Sequence, residues 1–112
     1  MLFVVLTLFA APFSLTAEPS KLGDLGPYRT IVTDVSASVD KGDFAGGKAR
    51  IADLEKLWDH NETSLKPKSP HDWHVLDKAI DEALHQLRLS KPVAADSQKA
   101  LKKLLDLMNK DE

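Results

Sequence analysis

The pattern of apolar and polar positions divides the chain into one apolar N-terminal segment and four amphipathic stretches. In each stretch the apolar residues recur at intervals of three and four, which places them on one face of an α-helix. The pattern therefore predicts four helices, at about 28–41, 44–65, 70–89 and 93–108. Their faces are Tyr28, Val32, Val35 and Val39; Phe44, Gly47, Ile51, Leu54, Trp58, Asn61 and Leu65; Trp73, Leu76, Ile80, Ala83, Leu84 and Leu87; and Ala94, Ser97, Leu101, Leu104, Leu105 and Met108.

The first stretch also fits a β-strand, because β-branched residues favour strands and several alternate along it. We prefer the helix, since no partner strand is found elsewhere in the sequence. The alternating positions are Ile31, Thr33, Val35, Ala37 and Val39.

Turn and capping residues predict where these helices begin and end. Gly42 and Asp43 are expected to end the first helix and to cap the second. Two prolines in the loop 65–70 are expected to stop the second helix. Ser69 is predicted to cap the third, with Pro70 at its first position and Asp72 in its first turn.

Four such helices joined by short loops are expected to bury their apolar faces against one another, which predicts an all-α fold, an antiparallel four-helix bundle. The chain has 112 residues. Because a core rarely divides below roughly 100 residues, we expect one domain, residues 28–112. Residues 18–27 are rich in glycine and proline and are predicted to form an irregular lead-in.

The N-terminal segment, residues 1–17, is predicted to be a signal peptide. It carries no charge from Leu2 to Ala17 and ends in small residues. Its apolar run is about ten residues, whereas a bilayer span needs about 20. Cleavage after Ala17 would give an exported, periplasmic protein without stable membrane insertion. Since no Lys or Arg precedes the apolar run, an uncleaved membrane anchor is the alternative.

Charge and composition exclude several classes of function. The chain has 15 basic and 17 acidic side chains, for a formal net charge of −2, and no basic stripe. We therefore expect no nucleic acid as a partner. The absence of cysteine excludes disulfides, a thiolate nucleophile and a Cys-ligated zinc site. No spacing of hydroxyl, His and acidic residues indicates nucleophilic catalysis, so we expect no enzyme.

A stripe of histidines and aspartates lies on the predicted third helix, opposite its apolar face. His74, Asp77, Asp81 and His85 follow at intervals of three, four and four, with His71 one turn earlier. One ion cannot use the whole stripe, because a helix separates His74 from His85 by about 16 Å. Two smaller zinc or copper sites are the alternatives to a solvated polar face: His71 with His74 and Asp77, and Asp81 with His85.

The segment His85–Pro92 is similar to the phospho-acceptor box of sensor histidine kinases. Leu89 and Lys91 disturb the spacing of that box, and no nucleotide-binding motif accompanies it. A phosphotransfer module is therefore the weaker interpretation of this segment.

Three further features have structural interpretations. Trp58 and Trp73 lie on the predicted apolar faces and are expected in the core. Gly46 and Gly47 are expected to permit close helix approach. Asn61 begins a glycosylation sequon, which matters only in a eukaryotic source.

Residues spread over most of the mature chain carry a resemblance to other proteins. They are Gly42, Asp43, Arg50, Ile51, Asp53, Leu54, Glu55, Trp58, Asp59, Leu65, Lys66, Pro67, Trp73, Asp77, Ile80, Asp81, Leu84, Leu87 and Arg88. From about Asp24 to Met108 the chain resembles a group of small exported helical proteins of proteobacteria. Members are often labelled histidine kinases, although this sequence lacks kinase motifs. The resemblance implies export and an all-helical fold, and it implies no catalytic residue.

Two functions follow as hypotheses. The first is a non-enzymatic exported module that binds a partner protein or serves an envelope sensing system, without a cofactor. The second is a metal-binding or metal-sensing envelope protein that uses the His/Asp stripe. Acidic and basic side chains around Arg50 and Arg88 are expected to form salt bridges between helices. Four short helices could also complete their core as a homodimer.

Overall fold

The computed structural model describes residues 21–110, and the predicted signal peptide lies outside them. The described residues form helices and no strand, so the helical prediction for the first stretch is confirmed and the strand alternative is wrong. The elements are α1 (Gly26–Asp40), α2 (Phe44–His60), α3 (Glu62–Leu65), a 3₁₀ helix (Lys66–Lys68), α4 (Pro70–Leu87) and α5 (Ala94–Lys110).

The residues before α1 contribute to the core, which the sequence pattern did not indicate. Leu22 and Leu25 are both fully buried. Helix α1 begins at Gly26, two residues before the predicted start, and the Gly26 amide donates to Asp24 Oδ1 at 2.8 Å. This bond satisfies one of the free amides at the start of the helix.

The turn between α1 and α2 follows the prediction. Gly42 has a φ of +75°, a left-handed conformation that glycine adopts without steric cost. Its amide donates to Val39 O at 2.9 Å. Asp43 caps α2, since its Oδ1 accepts from the Gly46 amide at 2.8 Å. A Cβ on Gly46 would collide with the Asp43 carboxylate, so this glycine serves the cap.

The predicted second helix is interrupted at Asn61. The side-chain Nδ2 of Asn61 donates to Tyr28 Oη at 2.8 Å, and the chain then continues as the single turn α3. The expected loop 65–70 contains the 3₁₀ helix, with Pro67 near its start. The prediction that the Ser69 side chain caps α4 is wrong, because only its backbone oxygen is used, accepting from the Trp73 amide at 2.9 Å.

The core consists largely of the predicted apolar faces, and each long helix packs on two others. Helix α1 contacts α2 and α5, and α4 contacts the same two helices; the α2–α4 contact is the least extensive of the four. Ala94 was predicted on the α5 face but is exposed, whereas Ala100 is buried. The α5 face thus begins one turn later than the sequence pattern predicts.

Candidate functional site

The stripe on α4 is mostly solvent-exposed. His71, His74, Asp81 and His85 are exposed, whereas Asp77 is half-buried. The Asp77 carboxylate is held by the core, because Trp58 Nε1 donates to its Oδ1 at 3.0 Å.

The three residues of the first predicted metal site, His71, His74 and Asp77, lie in three different environments. His71 lines a cavity of about 280 Å³ between α4 and α5, together with Lys21 and Lys110. The His74 ring packs edge-on against Trp73, with ring centroids 5.4 Å apart. Since Asp77 faces Trp58, these three side chains have different neighbours. Among residues 21–110, no three His, Asp or Glu side chains converge to hold a metal ion.

The second predicted metal site, Asp81 with His85, lies beside a concentration of negative charge. Glu55 and Asp59 of α2 face Asp77 and Asp81 of α4, and we call these four residues the acidic seam. Partial burial raises the pKa of the Asp81 carboxyl, and the charges of Asp77, Glu55 and Asp59 raise it further. Arg88 pairs with Glu55, and the remaining carboxylates of the seam attract cations to the α4 face that carries His85.

Two ion pairs link neighbouring elements, as the sequence predicted for Arg50 and Arg88. Arg50 Nη2 lies 3.0 Å from Asp34 Oδ2, which joins α2 to α1. Arg88, just after α4, places Nη2 2.8 Å from Glu55 Oε1 on α2. These side chains retain 36–50% of their exposure, so solvent screens both pairs and each contributes little to stability.

An aromatic cluster ties α1, α2 and α4 together. Trp58 and Trp73 are stacked, with ring centroids 5.5 Å apart and planes 12° apart, and Tyr28 meets Trp58 edge-on at 5.5 Å. Lys66 Nζ lies 5.0 Å from the Trp73 ring centroid. Both tryptophans are at most 5% exposed, which confirms the prediction that they belong to the core. Trp73 Nε1 is buried and has no hydrogen-bond partner among residues 21–110.

The hydrogen bond from Asn61 to Tyr28 also bears on the sequon. Burial raises the pKa of the Tyr28 phenol, and the hydrogen bond from Asn61 partly offsets this shift. A glycan on Asn61 would replace one of the two Nδ2 hydrogens and place a bulky group beside the hydrogen bond to Tyr28. Asn61 thus has a structural role that its sequence motif does not indicate.

The sequence interpretation missed a groove between α1 and α5. Two adjoining cavities of about 510 and 550 Å³ share Leu105 and Asn109. Most residues that line this α1–α5 groove have hydroxyl, amide or charged side chains, although their apolar atoms supply much of its surface: Gly26, Arg29, Thr30, Thr33, Asp34, Ser36, Asp40, Gln98, Lys102, Leu105, Asp106 and Asn109. The only indication of this groove in the sequence is Leu105, a second leucine next to Leu104 on the predicted α5 face. In the structure Leu104 is buried, whereas Leu105 is half-buried.

Gln98 fixes one wall of the groove. Its Oε1 accepts from Ser36 Oγ at 2.8 Å, and its Nε2 donates to Ser36 O at 2.9 Å and to Asp40 Oδ1 at 2.7 Å. One side chain of α5 therefore makes three hydrogen bonds to α1. The wall is held in place before any ligand arrives.

Within residues 21–110, no helix combines the length and apolar character needed to cross a bilayer. No family model, curated protein or solved structure matches the chain.

Proposed function

We propose that this protein is an exported, non-enzymatic antiparallel four-helix bundle that binds a partner protein through the α1–α5 groove. The observation that carries the proposal is the groove itself, an open concavity along two helices with Leu105 in its floor. Its hydroxyl and amide lining suits the polar rim of a protein interface, and Leu105 offers a small apolar contact at its centre.

The bundle is supported by the way the long helices contact one another. Helices α1, α2, α4 and α5 each pack on two of the others, which closes a ring. The connections between them are short: residues 41–43, 61–69 and 88–93. Short connections between packed helices favour antiparallel neighbours.

Preorganisation supports the groove as the binding face. Three hydrogen bonds from Gln98 hold α1 and α5 in register, so a partner would not have to order that wall. Affinity is lost when binding must immobilise side chains and loops. A preformed groove avoids part of this cost.

Site-specific photo-crosslinking tests the proposal in cells. A photoreactive phenylalanine analogue in place of Asn109 would lie in the groove, whereas one in place of the exposed Lys56 lies on α2, which does not line it. We expect a protein adduct from position 109 and none from position 56. The adduct should be lost when Leu105→Glu is added, while the helical melt stays cooperative.

Two results of this experiment would contradict the proposal. Identical adducts from both positions, or no adduct from position 109 under several growth conditions, would contradict binding through the groove. The export part is tested separately by the mass of the accumulated protein, which should begin at Glu18.

The alternative function is zinc or copper binding, and the acidic seam is the observation that favours it. Asp81 and His85 are one helical turn apart and exposed, and the seam concentrates negative charge beside them. Binding to the folded state adds RT ln(1 + [L]/Kd), about 2.7 kcal/mol at a hundredfold excess over Kd. Under this alternative, zinc or copper should raise the thermal midpoint by several degrees, and His85→Ala should abolish the rise.

The predicted trio can be tested in the same melt. A triple His71, His74 and His85 to Ala variant that loses more metal stabilisation than His85→Ala alone would implicate the first two histidines. A midpoint indifferent to both metals in the parent protein would contradict the metal function.

A further inference from the structure

The connection between α4 and α5 exposes large aliphatic side chains. Leu89 is 36% exposed and Val93 is 48% exposed, and they flank Ser90, Lys91 and Pro92. Among the described residues, the other large aliphatic side chain with comparable exposure is Val75, at 36% on the flank of α4. Exposed apolar side chains concentrated in one loop are typical of a contact surface.

This connection lies at the same end of the molecule as the turn between α1 and α2. A Cβ on Gly47 would lie 3.6 Å from a methyl of Val39 and 3.7 Å from one of Leu87. Gln98, near the start of α5, binds Asp40 at the end of α1. We call residues 41–44 and 88–93 together the tip.

Four lysines at this end form no ion pair within residues 21–110: Lys41 and Lys91 in the tip, Lys48 in the second turn of α2 and Lys99 in the second turn of α5. Three carboxylates lie near them and keep their charges, because Asp40 accepts from the neutral Gln98 amide, Asp43 accepts from the neutral Gly46 amide, and Asp96 lies in the first turn of α5. The four lysines exceed these three carboxylates by one charge, and Lys41 and Lys91 of the tip are free of internal ion pairs and available to an external anionic surface.

We propose that the tip docks on an anionic lipid surface. Its aliphatic side chains would enter the headgroup region, and its lysines would meet lipid phosphates. A protein interface of ordinary stability buries roughly 800 Å² on each partner, far more than two half-exposed side chains provide. A bilayer surface accommodates a small convex tip, because its headgroups rearrange around the inserted side chains.

A single fluorophore tests which part of the protein meets the membrane. The chain has no cysteine, so Ser90→Cys gives one labelling site in the tip, and Thr63→Cys gives a control at the opposite end. The protein is purified after export, and its processed N-terminus is verified by mass. With vesicles that contain about 30 mol% phosphatidylglycerol, we expect the emission of an environment-sensitive dye to rise at position 90 and stay unchanged at position 63. Purely zwitterionic vesicles should give no response, and added salt should weaken the response.

Matched substitutions separate the tip from general surface character. Val93→Ser combined with Leu89→Ser should lower vesicle affinity about tenfold, whereas Val75→Ser should leave it within about twofold. If the double variant fails to fold, the single substitution Lys91→Glu still tests the tip, and it should weaken binding to anionic vesicles. A response at position 63 equal to that at position 90, the same loss from Val75→Ser, or no binding to anionic vesicles would overturn the proposal. If the tip variants instead abolish a protein crosslink while anionic vesicles give no response, the tip binds a protein.

Discussion

The side-chain hydroxyl groups of Ser97 and Ser36 differ in whether they form a hydrogen bond. Ser97 is fully buried, and its Oγ has no hydrogen-bond partner in the described part of the chain, whereas Ser36 Oγ donates to Gln98. Because an unpaired buried hydroxyl costs free energy, Ser97→Ala should raise the free energy of unfolding by about 1 kcal/mol. Ser36→Ala should lower it by about 1 kcal/mol. Denaturant melts of both variants check the pair, and a loss of stability in Ser97→Ala would show that its hydroxyl has a partner.

The charge on Asp81 is predicted to oppose folding near neutral pH. Its pKa is raised above the ordinary value, so the charged form is disfavoured in the folded state. The cost is present above the folded-state pKa and disappears below the unfolded value of about 3.9. Asp81→Asn should therefore raise the thermal midpoint by a few degrees near neutral pH, the gain being limited because solvent screens an exposed carboxylate.

The neighbouring Glu82 is the control for this substitution. Its Oε1 lies 3.5 Å from Lys103 Nζ, so Glu82→Gln removes an attraction and should not stabilise the protein. The gain from Asp81→Asn should vanish in thermal melts below about pH 3.9. A gain of equal size at acid pH would contradict an electrostatic origin.

At the scale of helices, the docking of α2 on α4 depends on one tryptophan more than on the other. Trp58 donates to Asp77, whereas none of the described residues accepts a hydrogen bond from Trp73 Nε1. Trp58→Phe should cost about 2 kcal/mol, because it removes a hydrogen bond to a carboxylate and leaves that acceptor half-buried. Trp73→Phe should cost less, about 1 kcal/mol, since it removes an unsatisfied donor together with part of the stacked area. Urea melts measure both, and a larger cost for Trp73→Phe would contradict this ranking.

Two glycines at the turn between α1 and α2, Gly42 and Gly47, should have opposite effects on stability when each is replaced by alanine. Gly42→Ala should destabilise by about 1 kcal/mol, because an L-residue is strained at its positive φ. Gly47→Ala should stabilise by up to about 1 kcal/mol, since alanine is the better helix former. The added methyl would lie 3.6–3.7 Å from its neighbours, an ordinary contact, so the close approach at Gly47 does not require glycine. Thermal melts of the two variants should shift in opposite directions.

Helix boundaries followed the sequence where local chemistry sets them and departed from it where distant residues act. Gly42 and Asp43 end and begin helices through contacts within a few residues. The interruption at Asn61 involves Tyr28, which is 33 positions away and on another helix. Periodicity cannot indicate such a break, because Asn61 falls on the same face in the uninterrupted pattern.

For the whole molecule, we predict a stability that responds little to salt. Ion pairs such as Arg50–Asp34 and Arg88–Glu55 involve side chains at least 36% exposed, and solvent already screens them. The apolar faces of α1, α2, α4 and α5 supply the core instead. Between low salt and about 0.5 M NaCl the thermal midpoint should move by less than about 5 °C. A larger fall would indicate that ion pairs contribute more than their exposure suggests.

The sequence by itself determined the all-helical class, the four long helices and most of the buried positions, because helical periodicity indicates which side of each helix is shielded from water; it missed Leu22, Leu25, Ile31, Ala79 and Ala100. It also determined that Trp58 and Trp73 are core residues. Only the tertiary structure decided which polar side chains meet. It separated His71 from Asp77, placed Glu55 beside Asp81, and opened the groove between α1 and α5. Such meetings depend on how the helices pack and rotate against one another, which no spacing along a single helix specifies.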